Sequence, residues 1–148
     1  MSPSAPAGRE PLAGPGGAGR EPAVKVVAFG GGHGLAALLR ALRRIPGLDI
    51  TAVVTVGDDG GSSGRLRADR NMVPPGDLRQ ALAALAGEDE LSAGTARLFQ
   101  HRFDGADPLA GHAVGNLVLC GLMELYGDPV AALDHAAALL HARGRVLP

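Results

Sequence analysis

The sequence predicts an α/β fold with a parallel β-sheet, and three observations support this prediction. Two short apolar runs rich in β-branched residues, at 24–29 and 50–56, are typical of strands buried in a parallel sheet. Between them, leucines recur at the spacing of an amphipathic helix. A strand, a helix and a second strand in one sheet form a right-handed parallel crossover, so this unit defines the fold class.

The first helix is predicted between these two strands. Its apolar positions are Leu35, Leu38, Leu39 and Leu42. Arginines at 40, 43 and 44 fall toward its end, where the helix dipole favours cations. Pro46-Gly47 should end the helix, because proline cannot continue it and glycine readily adopts the turn that follows.

The segment 57–75 is rich in Gly, Ser, Asp and Arg and contains no long apolar run. We expect a loop here, and a loop of this length inside a compact domain is usually functional. The spacing of Leu78, Leu82 and Leu85 predicts a helix that starts near 76–77, with Asp77 as a plausible N-cap.

Three further helices are predicted at 91–103, 112–126 and 128–143. The second is apolar on nearly all sides, so we expect it to be buried. The third has Asp128 as a cap and Pro129 at its first helical position. Residues 145–148 resemble the start of a third strand.

The chain divides into two regions. Residues 1–22 are rich in Pro, Gly and Ala and contain too little apolar surface to offset the entropy of ordering, so we expect a disordered tail. Residues 23–148 are expected to form the N-terminal part of a longer domain. Two strands and the start of a third do not make a stable sheet of this kind.

The composition excludes several classes of function. Hydrophobic residues make up 46% of the chain and the net charge is −1, which gives no broad electrostatic surface for nucleic acid or an anionic membrane. No apolar stretch is long enough for a membrane-spanning helix, and the N-terminus lacks the apolar region of a secretory signal. The single cysteine, Cys120, indicates a reducing compartment. We therefore expect a cytoplasmic protein.

A glycine-rich turn follows the first strand and contains Gly30, Gly31, Gly32, His33 and Gly34. Such a turn directs backbone N–H groups and a helix N-terminus toward an anion, and glycine permits close approach of a phosphate. It lacks the third glycine of the dinucleotide fingerprint and the Gly-Lys-Ser/Thr of a P-loop. The alternative is a tight turn without a ligand.

A second candidate segment follows the second strand and contains Asp58, Asp59, Ser62, Ser63 and Arg65. Ligands of open α/β sheets bind outside the carboxyl ends of the strands, where these residues should lie. The aspartates can bond sugar hydroxyls or hold Mg²⁺, and the serines and arginine can bond phosphate. The alternative is a solvated loop with surface charges.

Two pairs of polar residues complete the candidate set. Asp77 and Arg79 begin a helix beside the same crevice, unless Asp77 is only an N-cap. His112 and Asn116 are four residues apart, on one face of the first turns of an apolar helix. They either bond a ligand or brace neighbouring loops. The histidines do not form a zinc-ligand spacing with the cysteine.

Six motifs in order make the chain resemble the YvcK-like gluconeogenesis factor family, which is related to 2-phospho-L-lactate transferase. They are GGGHGL at 30–35, TAVVTVGDDGGSSGRLR at 51–67, PPGDLR at 74–79, LFQHRF at 98–103, GHAVGN at 111–116 and ARGRVLP at 142–148. One departure is His33, where many members have Thr, which changes the reach and charge of a phosphate contact.

The resemblance implies a Rossmann-like three-layer fold of roughly twice this folded length. It implies a cytoplasmic protein that binds UDP-sugars such as UDP-N-acetylglucosamine and is needed for cell shape and peptidoglycan synthesis on gluconeogenic carbon sources. It also implies a homo-oligomer when full length, and phosphorylation by Ser/Thr kinases at a C-terminal position absent here. In the related transferase, the regions matching Asp58 and Asp59 and matching His112 and Asn116 belong to the site.

Three functions therefore compete. The first is a nucleotide-sugar-binding regulator, in which the glycine turn takes the diphosphate and the acidic segment takes hydroxyls or a metal ion. The second is a phosphotransferase in which Mg²⁺ at Asp58 and Asp59 would neutralise developing charge. The third, an NAD-dependent oxidoreductase, is disfavoured by the missing third glycine.

Overall fold

A computed structural model describes residues 23–57, 60–70 and 72–148. Three parallel strands form one sheet in the order β1-β2-β3. They are β1 (Val24–Gly30), β2 (Leu48–Val54) and β3 (Arg145–Leu147). The predicted α/β fold with a parallel sheet is confirmed, including the third strand. The expected tail at 1–22 lies outside the described residues.

Six helices connect or follow the strands in the described part of the chain. They are α1 (Gly32–Leu42), α2 (Gly61–Arg70), α3 (Pro75–Leu85), α4 (Glu90–Gln100), α5 (Val114–Tyr126) and α6 (Pro129–Leu139). The register pairs Gly30 with Val54 and Val53 with Leu147, so the carboxyl ends of all three strands lie at one rim of the sheet. That rim positions the loops that follow β1 and β2.

The core lies on one face of the sheet. Alternate residues of β1 and β2, such as Ala28 and Ala52, point into it and meet the buried leucines of α1 and α3. The opposite face of β1 is open, with Val27 53% and Phe29 76% exposed. The expectation of a strand buried on both faces is therefore wrong for β1, because no described residue covers that side.

Helix α2 corrects the expectation of a continuous loop over 57–75. Its ten residues include two glycines, and only Leu66 offers a large apolar side chain to the core. The helical period was therefore hidden, and the helix depends on contacts with α3 and α5 rather than on propensity.

Two helix starts also differ from the prediction. Helix α3 begins at Pro75 after Pro74, without a side-chain cap, so Asp77 is not its N-cap but lies in its first turn. Helix α5 begins at Val114, so His112 precedes it instead of sharing a helical face with Asn116.

The later helices are close to their predicted positions. Asp128 caps α6 by accepting a hydrogen bond from the backbone N–H of Val130, and Pro129 occupies the first helical position as predicted. Helix α6 ends at Leu139 and α4 at Gln100, each three or four residues before the predicted end. Helix α5 is only partly buried, since Leu125 is 75% exposed, so the expectation of burial on all sides is wrong.

Candidate functional site

The glycine turn lies at the carboxyl rim of the sheet, between β1 and α1. Gly31 is the N-cap of α1, and Gly32 has φ +60°, a conformation that favours glycine. A Cβ on Gly31 would lie 2.5 Å from Asp77 Oδ2 and 2.5 Å from Thr55 Oγ1. The absence of a side chain at Gly31 therefore lets a carboxylate from α3 and a hydroxyl from the end of β2 stand directly against the turn.

One cleft of about 480 Å³ joins the glycine turn to α2 and α3. Seven of the residues expected from sequence line it: Gly32, His33, Ser62, Ser63, Arg65, Asp77 and Arg79. Gly30, Gly31 and Gly34 belong to the turn but do not line the cleft. Asp58 and Asp59 lie outside the described residues, although the following residue, Gly60, does line it.

Four buried polar side chains form a hydrogen-bonded chain behind the cleft. Arg79 Nε donates to Asn116 Oδ1 at 2.8 Å, and Asn116 Nδ2 donates to Ser62 Oγ at 3.0 Å. Ser62 Oγ lies 2.9 Å from His112 Nδ1. All four side chains belong to residues that are at most 8% exposed. This polar chain links α2, α3 and α5, so His112 and Asn116 contact Ser62 rather than lining the cleft.

The direction of these hydrogen bonds follows from their chemistry. A guanidinium can only donate, so the Asn116 oxygen must face Arg79 and its NH₂ must face Ser62. The Ser62 hydroxyl then accepts from Asn116, and the direction of its hydrogen bond with His112 Nδ1 is set by the tautomer of the imidazole. In this arrangement the Ser62 hydroxyl is already engaged by two protein partners.

A short paired segment brings the guanidinium of Arg102 to the cleft. Arg102 and Ala113 form an antiparallel bridge that closes the 103–112 loop. Arg102 donates from Nη1 to the Gly111 carbonyl at 2.8 Å, and Arg65 donates from Nη2 to the Ala110 carbonyl at 2.9 Å. Arg65 thus ties α2 to this loop while lining the cleft.

Sequence reasoning did not single out Thr55, Gln80, Arg102 or Gly111. Arg102 lies in the LFQHRF motif, and that motif is the one sequence signal that points to it. Among the described lining residues, Arg65, Arg79 and Arg102 provide three cationic groups and Asp77 provides one carboxylate. The described part of the cleft is therefore electropositive, as an anion-binding site requires.

The shifted pKa values of the described residues lie away from the cleft. Burial raises the pKa of the Cys120 thiol, which keeps it protonated in the core as expected for a structural cysteine. A hydrogen bond from Arg145 lowers the pKa of Asp134. Among the described residues, no group of three or more His, Cys, Asp or Glu side chains could hold a metal ion. No helix in this part of the chain is long and apolar enough to span a bilayer.

Comparison with known proteins gives one consistent family. Residues 26–148 match the family described as 2-phospho-L-lactate transferase CofD. A protein of Mycobacterium tuberculosis, provisionally named a gluconeogenesis factor, is 58% identical over 123 residues, which are 83% of this chain and 36% of that protein. The gluconeogenesis factor of Bacillus subtilis is 49% identical over 124 residues, or 84% and 38% of the two chains.

A solved structure shows the same fold. A UPF0052 family protein of Bacillus halodurans superposes with a TM-score of 0.79 at 46% identity. The match covers 86% of this chain and 40% of that protein. The chain thus spans well under half the length of the relatives that it matches.

Proposed function

Because the chain belongs to the 2-phospho-L-lactate transferase CofD family, we propose that its cleft binds the diphosphate and sugar of a UDP-sugar such as UDP-N-acetylglucosamine. The protein then acts as a gluconeogenesis factor, a cytoplasmic regulator needed for cell shape and peptidoglycan synthesis on gluconeogenic carbon sources. The names of the bacterial relatives support the first part of this role.

The observation that carries the proposal is the convergence of two elements at one rim of a parallel sheet. The turn at Gly32 and the start of α2 at Ser62 and Ser63 line the same cleft. Each belongs to the first segment that follows a strand along the chain, where open α/β sheets bind their ligands. Backbone N–H groups at two helix N-termini, with the guanidinium of Arg65 or Arg79, suit a diphosphate.

The roles of individual residues follow from this arrangement. The glycine turn receives the phosphates, and Arg65 closes over them from α2. Asp58 and Asp59 bond sugar hydroxyls or a bridging metal ion. Asp77 stands against Gly31, where its carboxylate can orient a hydroxyl or a hydrated cation beside the phosphates. The polar chain through Ser62 fixes α2 in position, so that helix remains aligned when the ligand enters.

A second function has support in the same geometry. The carboxylate of Asp77 and the hydroxyl of Thr55 both approach Gly31, and oxygen atoms of these types are the ligands that Mg²⁺ prefers. With Asp58 and Asp59 they would suit a Mg²⁺-dependent phosphotransferase resembling 2-phospho-L-lactate transferase. A bound Mg²⁺ would neutralise charge on a transferring phosphoryl group.

Calorimetry separates these functions. The nucleotide-sugar regulator predicts micromolar binding of UDP-N-acetylglucosamine in EDTA, without turnover. The transferase predicts that binding needs Mg²⁺ and that the nucleotide-linked substrate is consumed. Tight NADH binding with no UDP-sugar binding would refute both. The same titrations on the full-length Bacillus subtilis relative test whether the remainder of that protein contributes to affinity.

A double variant tests whether Asp58 and Asp59 contribute to ligand binding. Asp58→Ala combined with Asp59→Ala should abolish UDP-sugar binding and leave the thermal transition intact. Asp49→Ala, at the opposite end of β2, is the control and should bind normally. Unchanged affinity in the double variant would remove the acidic segment from the site. Size-exclusion chromatography of a full-length relative, and kinase assays on it, test the proposed homo-oligomer and C-terminal phosphorylation.

A further inference from the structure

A second cleft of about 310 Å³ opens beside the first, between α1, α3 and the end of α4. Its polar lining consists of His33, Arg40, Arg79, Gln80, Gln100 and Arg102. Four of these residues also line the first cleft, so the two spaces are continuous. We call the second space the arginine lobe. Of these two clefts, Arg40 and Gln100 line only the lobe.

The described lining of the arginine lobe is cationic. Three guanidinium groups line it and none of its described lining residues carries a carboxylate, and the Arg79 guanidinium is hydrogen-bonded to Asn116. Three arginines elsewhere in the described part of the fold pair with acids, as Arg145 does with Asp134 at 2.8 Å. Within the described part of the chain, by contrast, neither Arg40 nor Arg102 has a carboxylate within 4.0 Å. Cations gathered in this way repel one another until an anion joins them.

The lobe also has a defined distance from the glycine turn. His33 and Arg40 lie two turns apart along α1, a separation of about 10 Å at 1.5 Å per residue. Arg40 therefore reaches a group well beyond the phosphate that the glycine turn would hold. Arg102 stands where the two clefts join, because it lines both of them.

We propose that the arginine lobe is a second anion subsite, which binds a phosphate group through the guanidiniums of Arg40 and Arg102. Guanidinium forks match phosphate oxygens in pairs, and the amides of Gln80 and Gln100 supply neutral donors around them. This proposal rests on the proposed function, because the subsite adjoins the cleft that would bind the nucleotide sugar. Its phosphate comes as a separate ion, because the two phosphates of a UDP-sugar are adjacent and both belong to the glycine turn in the proposed function.

Arg40→Gln is the central variant because Arg40 is exposed and does not line the first cleft. Arg44→Gln removes the same charge just past the end of α1, outside both clefts, and controls for general electrostatic attraction. Inorganic pyrophosphate is the probe, titrated by calorimetry into the wild type and both variants. Thermal unfolding confirms that all three proteins fold.

We expect Arg40→Gln to weaken pyrophosphate binding on the order of tenfold, as loss of a charge-assisted phosphate contact should. Arg44→Gln should change it by less than about twofold. Equal affinities for wild type and Arg40→Gln would overturn the subsite, and so would equal losses in both variants. Failure of the wild type to bind millimolar pyrophosphate would also overturn it.

A competition experiment tests whether the subsite is separate from the diphosphate position. If UDP-N-acetylglucosamine displaces pyrophosphate, the probe occupied the diphosphate position of the first cleft, and a separate subsite is overturned. If pyrophosphate binds the saturated protein with unchanged, Arg40-dependent affinity, the lobe takes a separate phosphate ion. If UDP-N-acetylglucosamine does not bind while pyrophosphate binds through Arg40, the nucleotide-sugar function fails and the anion subsite stands.

Discussion

Replacing Gly115 with alanine should destabilise the fold and disturb the site together. Gly115 lies in the first turn of α5, where that helix crosses α4 and α3. An added Cβ would lie 2.8 Å from Phe99 Cδ1, 2.8 Å from the Phe99 carbonyl oxygen and 2.9 Å from Arg79 Cδ. One of these atoms belongs to the backbone of α4, so side-chain rotation alone cannot relieve the contact.

The size of the effect follows from two opposing contributions. Overpacking a well-filled site costs about 1–3 kcal/mol. Alanine is favoured over glycine inside a helix by about 1 kcal/mol, which offsets part of that cost. We therefore expect the free energy of unfolding of Gly115→Ala to fall by up to about 2 kcal/mol. The melting temperature should fall accordingly, by up to several degrees.

Gly121 provides a control in the same helix. It is exposed, and a Cβ there would meet no atom within 4 Å. Gly121→Ala should raise the free energy of unfolding by about 0.5–1 kcal/mol through helix propensity alone. Urea denaturation of both variants measures the difference. If Gly115→Ala proved as stable as Gly121→Ala, the close packing at the crossing of α4 and α5 would be refuted.

The same packing holds Arg79 in place, so the variant also reports on the site. Moving the Arg79 side chain away from the new methyl group weakens its 2.8 Å hydrogen bond to Asn116. Ligand affinity should therefore fall in Gly115→Ala and remain unchanged in Gly121→Ala. Calorimetry with UDP-N-acetylglucosamine, at a temperature where both variants are folded, separates this local effect from unfolding.

Three further predictions follow from the described contacts. Ser62→Ala removes one hydrogen bond from each of two buried partners, Asn116 and His112, and should cost about 1–3 kcal/mol in urea denaturation; a loss below about 0.3 kcal/mol would contradict the polar chain. Gly31→Ala forces apart the two oxygens that stand against the turn and should weaken UDP-sugar binding at least tenfold in calorimetry, whereas normal affinity would show that the turn does not contact the ligand. Hydrogen bonds from Ser92 lower the pKa of Asp89, so its stabilisation is fully present above the ordinary aspartate pKa of about 3.9 and is lost as the pH falls through the folded value. Thermal unfolding between pH 6 and 3 should therefore depend less on pH in Asp89→Asn, and an identical pH profile would count against this contribution.

Local signals in the sequence were sufficient for much of the fold. The strand at 24–29, the leucine spacing of α1 and the Asp128-Pro129 start of α6 each carry a strong short-range preference, and all three are confirmed. Helix α2 was missed because its glycines and charged residues hide the helical period. Its helical conformation depends on packing against α3 and α5, which no local pattern reveals.

The candidate site was predictable where strand ends determine it. Residues after β1 and β2 must lie at one rim of a parallel sheet, which places His33 and Ser62 together although they are far apart in sequence. Arg40 and Arg102 were not predictable in this way. In the sequence, Arg40 has the position of an ordinary cation near the end of a helix. Arg102 reaches the cleft only because it pairs with Ala113 in an antiparallel bridge.

The described residues leave one face of β1 uncovered beside the cleft. Phe29 immediately precedes the glycine turn, and the described part of the chain leaves it 76% exposed on the face away from the core. Covering that ring and Val27 would stabilise β1 by about 25 cal/mol for each Å² of apolar area removed from solvent. A ligand that binds only the ordered glycine turn would then bind more tightly, because less of its binding free energy is spent on ordering that turn. If contact on that face of the sheet and occupancy at its rim both order β1, each would strengthen the other, and by thermodynamic linkage to the same extent in both directions.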